Sequence, residues 1–190
     1  MHNLVTKEAL EKAVAGDHAA FRILVEKYHA FVFRLSCRFL GDRGDAQDAT
    51  QETFIRLWKD IHRYDSTVKL TTWLYKITSN LCLDVLKSSR WKHHATQRMM
   101  DLPDSPDSTS ADEALLNEEL NNIVFKMAST LTPKQKAVFI LRDVEGLAVP
   151  EVCAALSMSA ANVKGNLYHA RLKMSTLLQK HYQQTDQYEM

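Results

Sequence analysis

The sequence predicts an all-α protein: two small helical domains joined by a flexible acidic linker. Five glycines and four prolines among 190 residues leave few helix breakers. Apolar residues recur at three- and four-residue steps, as on one helix face, and no segment with strand periodicity competes. Residues 101–110, rich in proline, serine and aspartate, lack this periodicity. We therefore expect a first domain at 1–98, a linker at 99–117, a second domain at 118–182 and a tail at 183–190.

Three helices are predicted in the first domain. Residues 41–44 (GDRG) end the first of them, and Asp45 can cap the next, which runs over about 46–61. A loop, residues 62–70, then leads into a long helix over about 71–94. The apolar face of the first helix consists of Phe21, Leu24, Val25, Tyr28, Val32, Leu35 and Phe39.

The second domain is predicted to end in a helix-turn-helix. One helix ends near residue 130, and Thr132 and Gln135 can then form a capping box around Pro133 at the start of the next. That helix ends at residues 145–146. A short helix over 149–156, a turn at 157–159, and a longer helix over 160–180 complete the motif, with Ser159 as the cap of the last helix.

Composition narrows the class of protein. Residues 101–119 contain seven acidic side chains and no lysine or arginine, so the rest of the chain is basic, as suits a protein that binds a polyanion. The cysteines, Cys37, Cys82 and Cys153, are far apart and predict free thiols. The N-terminus lacks the apolar core of a signal peptide, and no apolar run is long enough to span a membrane, so a cytoplasmic location is expected.

The last predicted helix has the side chains of a DNA-recognition helix. Asn162, Lys164 and Asn166 lie in its first turns, where donors can reach base edges or phosphates. Arg171 and Lys173 lie further along and suit phosphate contacts. Four apolar positions can face inward: Val163, Leu167, Leu172 and Leu178. The alternative is a merely solvated helix face.

Two features of the first domain allow a binding interpretation. Trp73 and Tyr75 lie beside Lys69 and Lys76, and aromatic rings among cations suit melted DNA, although Trp73 also has the spacing of a core residue. Asp48, Gln51 and Glu52 share one side of their helix near Phe54 and could dock a basic partner, although solvated surface is the alternative.

Enzymatic chemistry has little basis in the sequence. His93 and His94 have no cysteine or acid at metal-ligand spacing, and adjacent helical residues do not face one site. No phosphate-binding glycine-rich loop and no nucleophile elbow occur. We expect no catalytic residues, no metal and no cofactor.

Four motifs, in this order, resemble the extracytoplasmic-function (ECF) class of bacterial sigma factors, within the sigma-70 family. They are residues 48–54 (DATQETF), residues 72–80 (TWLYKITSN) with Asp84, residues 131–147, which start with LTP and end with DVEGL, and residues 163–171 (VKGNLYHAR). The resemblance covers roughly residues 15–95 and 118–180.

The resemblance implies a role for each segment. The helix with Asp48, Gln51, Glu52 and Phe54 would dock on the clamp of the largest subunit of core RNA polymerase. The loop at 62–70 would capture a flipped base of the minus-10 promoter element. The residues implied to contact or melt that element are Tyr64, Lys69, Trp73, Lys76, Asn80, Asp84, Lys87 and Arg90. Those implied to contact the minus-35 element are Ser159, Asn162, Lys164, Asn166, His169, Arg171 and Lys173.

The resemblance further implies an acidic linker that threads near the RNA exit path and the active-site cleft of polymerase, and inhibition by an anti-sigma factor. Three positions depart from the family's pattern. Ala148 stands where serine or threonine usually begins the helix-turn-helix, Gly165 where serine is usual, and Asn166 where a basic residue is frequent. They bear on promoter preference and leave the binding class unchanged.

The leading hypothesis is thus a sigma factor that binds core polymerase, promoter DNA and an anti-sigma factor, and that does no covalent chemistry itself. A stand-alone helix-turn-helix regulator, with a sensing or dimerising first domain, is the first alternative. A metal-dependent hydrolase that uses His93, His94 and a distant acid is the second.

Overall fold

A computed structural model describes residues 2–88, which form the first domain, and residues 123–186, which form the second. Both consist of helices and short connections, without a strand in either described segment, so the predicted fold class is confirmed. The first domain contains α1 (His2–Val14), α2 (His18–Leu40), α3 (Arg43–Asp60), a 3-10 turn (Ile61–Arg63) and α4 (Leu70–Lys87). The second contains α5 (residues 123–128), α6 (Pro133–Phe139), a π turn (Ile140–Val144), α7 (Val149–Leu156) and α8 (Ala160–Asp186). The predicted linker, 99–117, lies outside the described residues.

Helix α2 is the central element of the first domain. The Asp17 side chain begins it by accepting hydrogen bonds from the backbone N–H groups of Ala19 and Ala20. Gly41 ends it with a φ of 67°, a left-handed conformation in which its N–H donates to the carbonyl of Cys37. The predicted apolar face is confirmed, since four of its residues, Leu24, Val32, Leu35 and Phe39, are fully buried and the other three half-buried.

Helix α3 begins earlier than predicted. Asp42, and not Asp45, is its cap: an Asp42 carboxylate oxygen accepts from the backbone N–H of Asp45 at 2.8 Å. Gly41 and the extended Asp42 make the turn after α2, so Arg43 and Gly44 are already helical. The predicted start at residue 46 was therefore three residues too late.

Two other helices also differ from the prediction. Helix α4 stops at Lys87 because Ser88 takes an extended conformation, and the predicted continuation, including His93 and His94, lies outside the described residues. Helix α1 was not predicted from the sequence. It is only weakly amphipathic, with Ala9 and Ala13 as its buried contacts.

The second domain follows the predicted pattern closely. The capping box at α6 is present: Thr132 accepts from the N–H of Gln135 at 3.4 Å, and the Gln135 side chain accepts from the N–H of Thr132 at 3.2 Å. Ser159 accepts from the N–H of Asn162 at 3.3 Å and caps α8, as expected. Ser157, with a φ of 52°, makes the tight turn between α7 and α8.

Helix α6 does not end regularly but widens into the π turn. The N–H of Glu145 donates to the carbonyl of Ile140 at 2.9 Å, a five-residue step, and Gly146 follows with a φ of 73°. A π turn inside a helix is rare and is often found at functional positions. Sequence periodicity did not predict it. Glu145 is the residue that follows the turn.

The Ala148 departure gives a stability prediction. The N–H of Ala148 donates to the Glu151 carboxylate at 2.7 Å, but alanine has no side-chain oxygen to cap α7 in return. Ala148→Ser is expected to stabilise the protein by about 0.5–1 kcal/mol. That would raise the thermal midpoint by roughly 2–8 °C, measured by circular dichroism.

Thr132→Ala is the matched control, since it removes the complete capping box of α6 and should lower the midpoint by a similar amount. If Thr132→Ala lowered the midpoint while Ala148→Ser left it unchanged, the account of an incomplete cap at α7 would be wrong.

The core is continuous between the domains. One buried cluster belongs to the first domain, around Leu24, Leu57 and Leu74, and one to the second, around Leu131 and Met174. The third cluster takes residues from both domains, because α4 packs against α6 and α7. The two helical units therefore contact each other directly.

The three cysteines are free thiols, as expected. Cys37 and Cys82 are buried, and Cys153 is half-buried. Burial raises the pKa of the Cys37 thiol to about 11 and that of Cys82 to about 12. Both thiols are therefore protonated at neutral pH.

Candidate polymerase and DNA interfaces

Helix α3 presents a mixed acidic and apolar face to solvent, which we call the docking face: Asp48, Gln51, Glu52 and Ile55. These residues are three or four positions apart and so lie on one side of the helix. Asp48 and Gln51 are exposed, Glu52 is half-buried and accepts from the Arg56 guanidinium at 2.8 Å, and Ile55 is 47% exposed. An acidic face with one exposed apolar residue at its C-terminal end is suited to a basic protein partner.

The opposite side of α3 holds this face in place. Thr50 and Thr53 are buried, and their hydroxyls donate to the carbonyls of Ala46 and Ala49, each at 2.7 Å. Phe54, predicted to contact polymerase, is only 7% exposed and lies in the first-domain core. Its burial argues against direct contact with a partner. Ile55, which the sequence reasoning missed, is the exposed apolar residue on this helix.

The loop between α3 and α4 is braced by aromatic contacts. The Tyr64 hydroxyl donates to the carbonyl of Val68, and the Tyr64 ring meets Trp73 edge to face, with centroids 5.4 Å apart. Burial raises the pKa of Tyr64. The Asp65 side chain accepts from the N–H of Thr67 at 2.9 Å. Because Trp73 is half-buried against the core, it fits both earlier interpretations: a packing residue with one accessible side.

Helix α4 carries a polar row that continues from this loop. Lys69, Lys76, Asp84 and Lys87 are exposed and Asn80 is half-buried, at spacings that keep them near one side of the helix. Asp84 and Lys87 form an exposed ion pair at 3.7 Å. Arg90, the last predicted member, lies outside the described residues.

The helix-turn-helix leaves the start of α8 open to solvent. Asn162, Lys164 and His169 are exposed, and none of them is tied by its side chain to a charged group within the described segments. Asn166 is half-buried and donates from its side-chain nitrogen to the carbonyl of Asn162 at 2.8 Å. Ser159 is exposed, but its hydroxyl is engaged as the helix cap.

The cations further along α8 are held by their own domain. Arg171 donates from Nε and Nη2 to both carboxylate oxygens of Asp143, at 2.9 and 2.6 Å, and this pair raises the pKa of Arg171. Lys173 donates to the carbonyl of Thr130 at 2.5 Å. The structure thus separates these two residues, which orient α8, from Asn162 and Lys164 at its start.

Two apolar side chains of α8 point away from the core. Tyr168 is 65% exposed and Leu172 is 55% exposed. The inward orientation expected for Leu172 was wrong, because Val163, Leu167, Ala170 and Met174 already fill the buried side. Leu172 lies one turn beyond Tyr168 on the outer side. A Cβ on Gly165 would meet nothing within 4 Å, so packing does not require glycine there.

The chain matches two family models in the order of its domains. Residues 24–92 match Sigma-70 region 2, and residues 122–174 match Sigma-70, region 4. Over 180 residues the chain is 31% identical to ECF RNA polymerase sigma factor SigE of Mycolicibacterium smegmatis, covering 90% of this chain and 68% of that relative. The chain belongs to the ECF sigma factors.

Other members of the family match over similar lengths. ECF RNA polymerase sigma factor SigW of Bacillus subtilis is 26% identical over 175 residues, covering 88% of this chain and 94% of SigW. The ECF RNA polymerase sigma-E factor of Escherichia coli is 25% identical over 183 residues, covering 88% and 91%.

Solved structures share the fold. CnrH, solved in complex with the cytosolic domain of CnrY, aligns with a TM-score of 0.66 at 22% identity, covering 93% of this chain and 98% of CnrH. The sigma factor RpoE of Bartonella quintana, solved with the anti-sigma factor NepR, aligns with a TM-score of 0.64 at 15% identity, covering 84% and 96%.

Membership of this family decides between the earlier hypotheses. A sigma factor is an initiation factor and not an enzyme, so neither the stand-alone regulator nor the hydrolase describes this chain. Region 2 spans most of α2, α3 and α4, and region 4 covers the second domain as far as Met174. None of the helices in the two described segments is long and apolar enough to cross a membrane.

Proposed function

We propose that this sigma factor binds core RNA polymerase through the docking face of α3, with Ile55 in place of Phe54. The acidic side chains would meet a basic surface on the clamp of the largest subunit, and Ile55 would supply apolar contact at the C-terminal end of the docking face. Support comes from the exposure of all but one of these side chains and from their common side of α3. A cytoplasmic location belongs to the same proposal.

The loop and the polar row of α4 would act on the minus-10 element. The Tyr64–Trp73 pair gives the loop a fixed shape, which favours capture of one flipped base over a flexible search. Lys69, Lys76 and Lys87 would follow the backbone of the separated strand. The partly exposed Trp73 ring offers a surface on which a base can stack.

The start of α8 would read the minus-35 element in the major groove. The observation that carries this assignment is the open first turn of α8, where Asn162 and Lys164 project from a capped helix whose rear is fixed by the Arg171–Asp143 pair. Amide and ammonium groups there suit base edges and phosphates. Arg171 and Lys173 then position the helix instead of serving mainly as phosphate contacts.

We also propose control by an anti-sigma factor, on the basis that the fold is shared with the RpoE sigma factor solved with NepR. The whole proposal divides the chain into a polymerase-docking and melting domain (1–98), a linker (99–117), and a minus-35 domain (118–182). Run-off transcription with core polymerase on a promoter library tests it. Absence of core-dependent initiation from every promoter would contradict it.

Two substitutions separate base recognition from phosphate contact. Lys164→Ala is expected to weaken holoenzyme binding to promoters with a minus-35 element by about 10-fold and to lower the salt dependence by roughly one charge. Asn162→Ala is expected to relax the preference at one base pair by about 5–100-fold. Binding titrations at several salt concentrations, on promoters with single base changes, measure both effects.

Lys180→Ala is the control, because Lys180 is an exposed lysine of α8 four turns beyond Lys164. The same charge is removed at a distance from the proposed contact, so promoter preference should not change. Equal losses in the two lysine variants would remove Lys164 from the site.

A further inference from the structure

Gly165 lies in the second turn of α8, inside a regular helix that runs from Ala160 to Asp186. Glycine is unfavourable there, because it loses more conformational freedom on folding than any other residue. Among the residue types only proline is worse in a helix interior. A glycine at this position therefore weakens α8, and its presence needs a physical reason.

The other glycines of the chain have such reasons, and Gly165 does not. Three of the five glycines have a positive φ, which favours glycine: Gly16, Gly41 and Gly146. A Cβ on Gly44 would be crowded by a carboxylate oxygen of Asp42 at 3.3 Å. Gly165 is helical and exposed, and a Cβ there would meet nothing within 4 Å. What is left is the close approach of a binding partner to the backbone.

Gly165 lies on the outermost line of α8. Val163 and Leu167 are buried, and Gly165 is two residues away from each of them. At roughly 100° per residue, it therefore points about 160–200° away from both. The exposed side chains of Asn162 and Lys164 lie on either side of this line. Gly165 is thus at the centre of the surface proposed to face the minus-35 element.

The dimensions of DNA place this line against the bases. The major groove is about 12 Å wide and about 8.5 Å deep, and a helix with its side chains is about 10–12 Å across. A helix in the groove fills its width, so its outermost line faces the base edges. A missing Cβ on that line leaves a gap between the helix backbone and one base pair. This step rests on the proposed reading of the minus-35 element by α8.

The chemistry of this gap favours an apolar group. The backbone N–H and C=O of Gly165 are within the hydrogen-bonded helix, so the floor of the gap offers no free donor or acceptor. One turn later Tyr168 is 65% exposed, and its ring meets that of His169 edge to face, with centroids 5.5 Å apart. Because helical side chains lean towards the N-terminus, the Tyr168 ring borders the gap.

One base in DNA presents a group of this kind. A polar base edge would lose its water in the gap without gaining a hydrogen bond, which is unfavourable. The 5-methyl group of thymine is the apolar group that base pairs present in the major groove. We propose that Gly165 is a specificity-determining residue of the minus-35 interface, and that the gap above it, bordered by the Tyr168 ring, accepts the methyl group of one thymine.

Replacement of thymine by deoxyuridine tests the proposal, because it removes only the methyl group. The probe is the promoter that wild-type holoenzyme binds best in a library selection, with each thymine of its minus-35 element replaced singly. One replacement is expected to weaken wild-type binding about fourfold, the effect of one buried methyl group. In Gly165→Ala this penalty should disappear, and the affinity for the thymine promoter should fall by at least the same factor. In Tyr168→Ala the penalty should fall below about twofold.

The stability of the same variant gives a second, independent measurement. Gly165→Ala should raise the thermal midpoint of the free protein by roughly 1–4 °C, since alanine is the best helix former. Binding and stability should therefore change in opposite directions. Thr176→Ala is the matched control: Thr176 is exposed about three turns further along α8, and alanine again favours the helix. Its promoter affinity should equal that of wild type.

Several outcomes would overturn the proposal. They are the absence of a deoxyuridine penalty at every thymine in wild type, an equal penalty in Gly165→Ala, and an equal loss of affinity in Thr176→Ala. An unchanged penalty in Tyr168→Ala would remove Tyr168 from the gap.

Lys164→Ala distinguishes failure of the gap from failure of the proposed function. If Lys164→Ala weakens promoter binding and Gly165→Ala does not, the gap is wrong and the minus-35 assignment of α8 stands. If neither variant changes promoter binding, the assignment of α8 itself is wrong.

Discussion

Replacement of both Asp48 and Glu52 by lysine is expected to lower the affinity for core polymerase at least about 100-fold. The change reverses the charge of the docking face and places like charges opposite a basic partner, where truncating or opposing a paired charge typically costs 2–5 kcal/mol. No loss of fold is expected. Asp48 is exposed, and the ion pair from Glu52 to Arg56 is a surface pair worth at most about 0.5 kcal/mol.

The control keeps the same change of net charge at another place. Glu8 and Glu11 are exposed on α1, far in sequence from the docking face, and their replacement by lysine should leave polymerase binding unchanged. Fluorescence titration of labelled protein with core polymerase, at two salt concentrations, measures the affinities. If the α1 and α3 variants bound equally well, α3 would not be the docking element.

Ile55→Ala refines this test, because it removes apolar contact without altering charge. A substantial loss of affinity in this variant, with Phe54 left in place, would assign the apolar contribution to the exposed residue. Unchanged affinity would restrict the docking face to its polar members.

Leu24→Ala is the second change with a large expected effect, and it acts on stability. Leu24 is fully buried between α1, α3 and α4, and truncation of such a leucine costs about 2–5 kcal/mol through lost burial and the cavity left behind. Since whole domains are stable by only 5–15 kcal/mol, this is a large fraction of the total. The denaturation midpoint in urea should fall correspondingly.

The preceding residue provides the control. Ile23 has a side chain of the same size on the same helix but is 43% exposed, so Ile23→Ala should cost less than about 1 kcal/mol. Urea denaturation followed by circular dichroism compares the two variants. Similar losses would show that α2 is rotated so that Ile23 also faces the core.

This pair of residues illustrates what the sequence could predict. The three- and four-residue periodicity of α2 includes Leu24 and omits Ile23, and burial follows that pattern. The starts of α6 and α8 could also be predicted, from the Thr132 capping box and the Ser159 cap, because the hydrogen-bonding partners lie within three residues. Helix order, the two-domain division and the helix-turn-helix followed from them.

Other features depend on contacts that are distant in sequence. Periodicity placed Leu172 inward, but neighbouring residues already fill that side of α8. The positive charge of Arg171 suggested a phosphate contact. In the structure Arg171 pairs with Asp143, which is 28 residues away in the sequence. The contact of Glu145 with Tyr75 spans 70 residues. No local pattern records such pairings, since they exist only after the helices have packed.

The buried thiols affect the chemical lifetime of the protein. Oxidants and electrophiles attack the thiolate, and burial raises the pKa of the Cys82 thiol, which keeps this side chain in its less reactive protonated form at pH 7. An exposed cysteine is partly ionised at this pH, so damage should accumulate more slowly at Cys82 than at an exposed thiol. Cys82 is therefore protected for as long as the core around it stays packed.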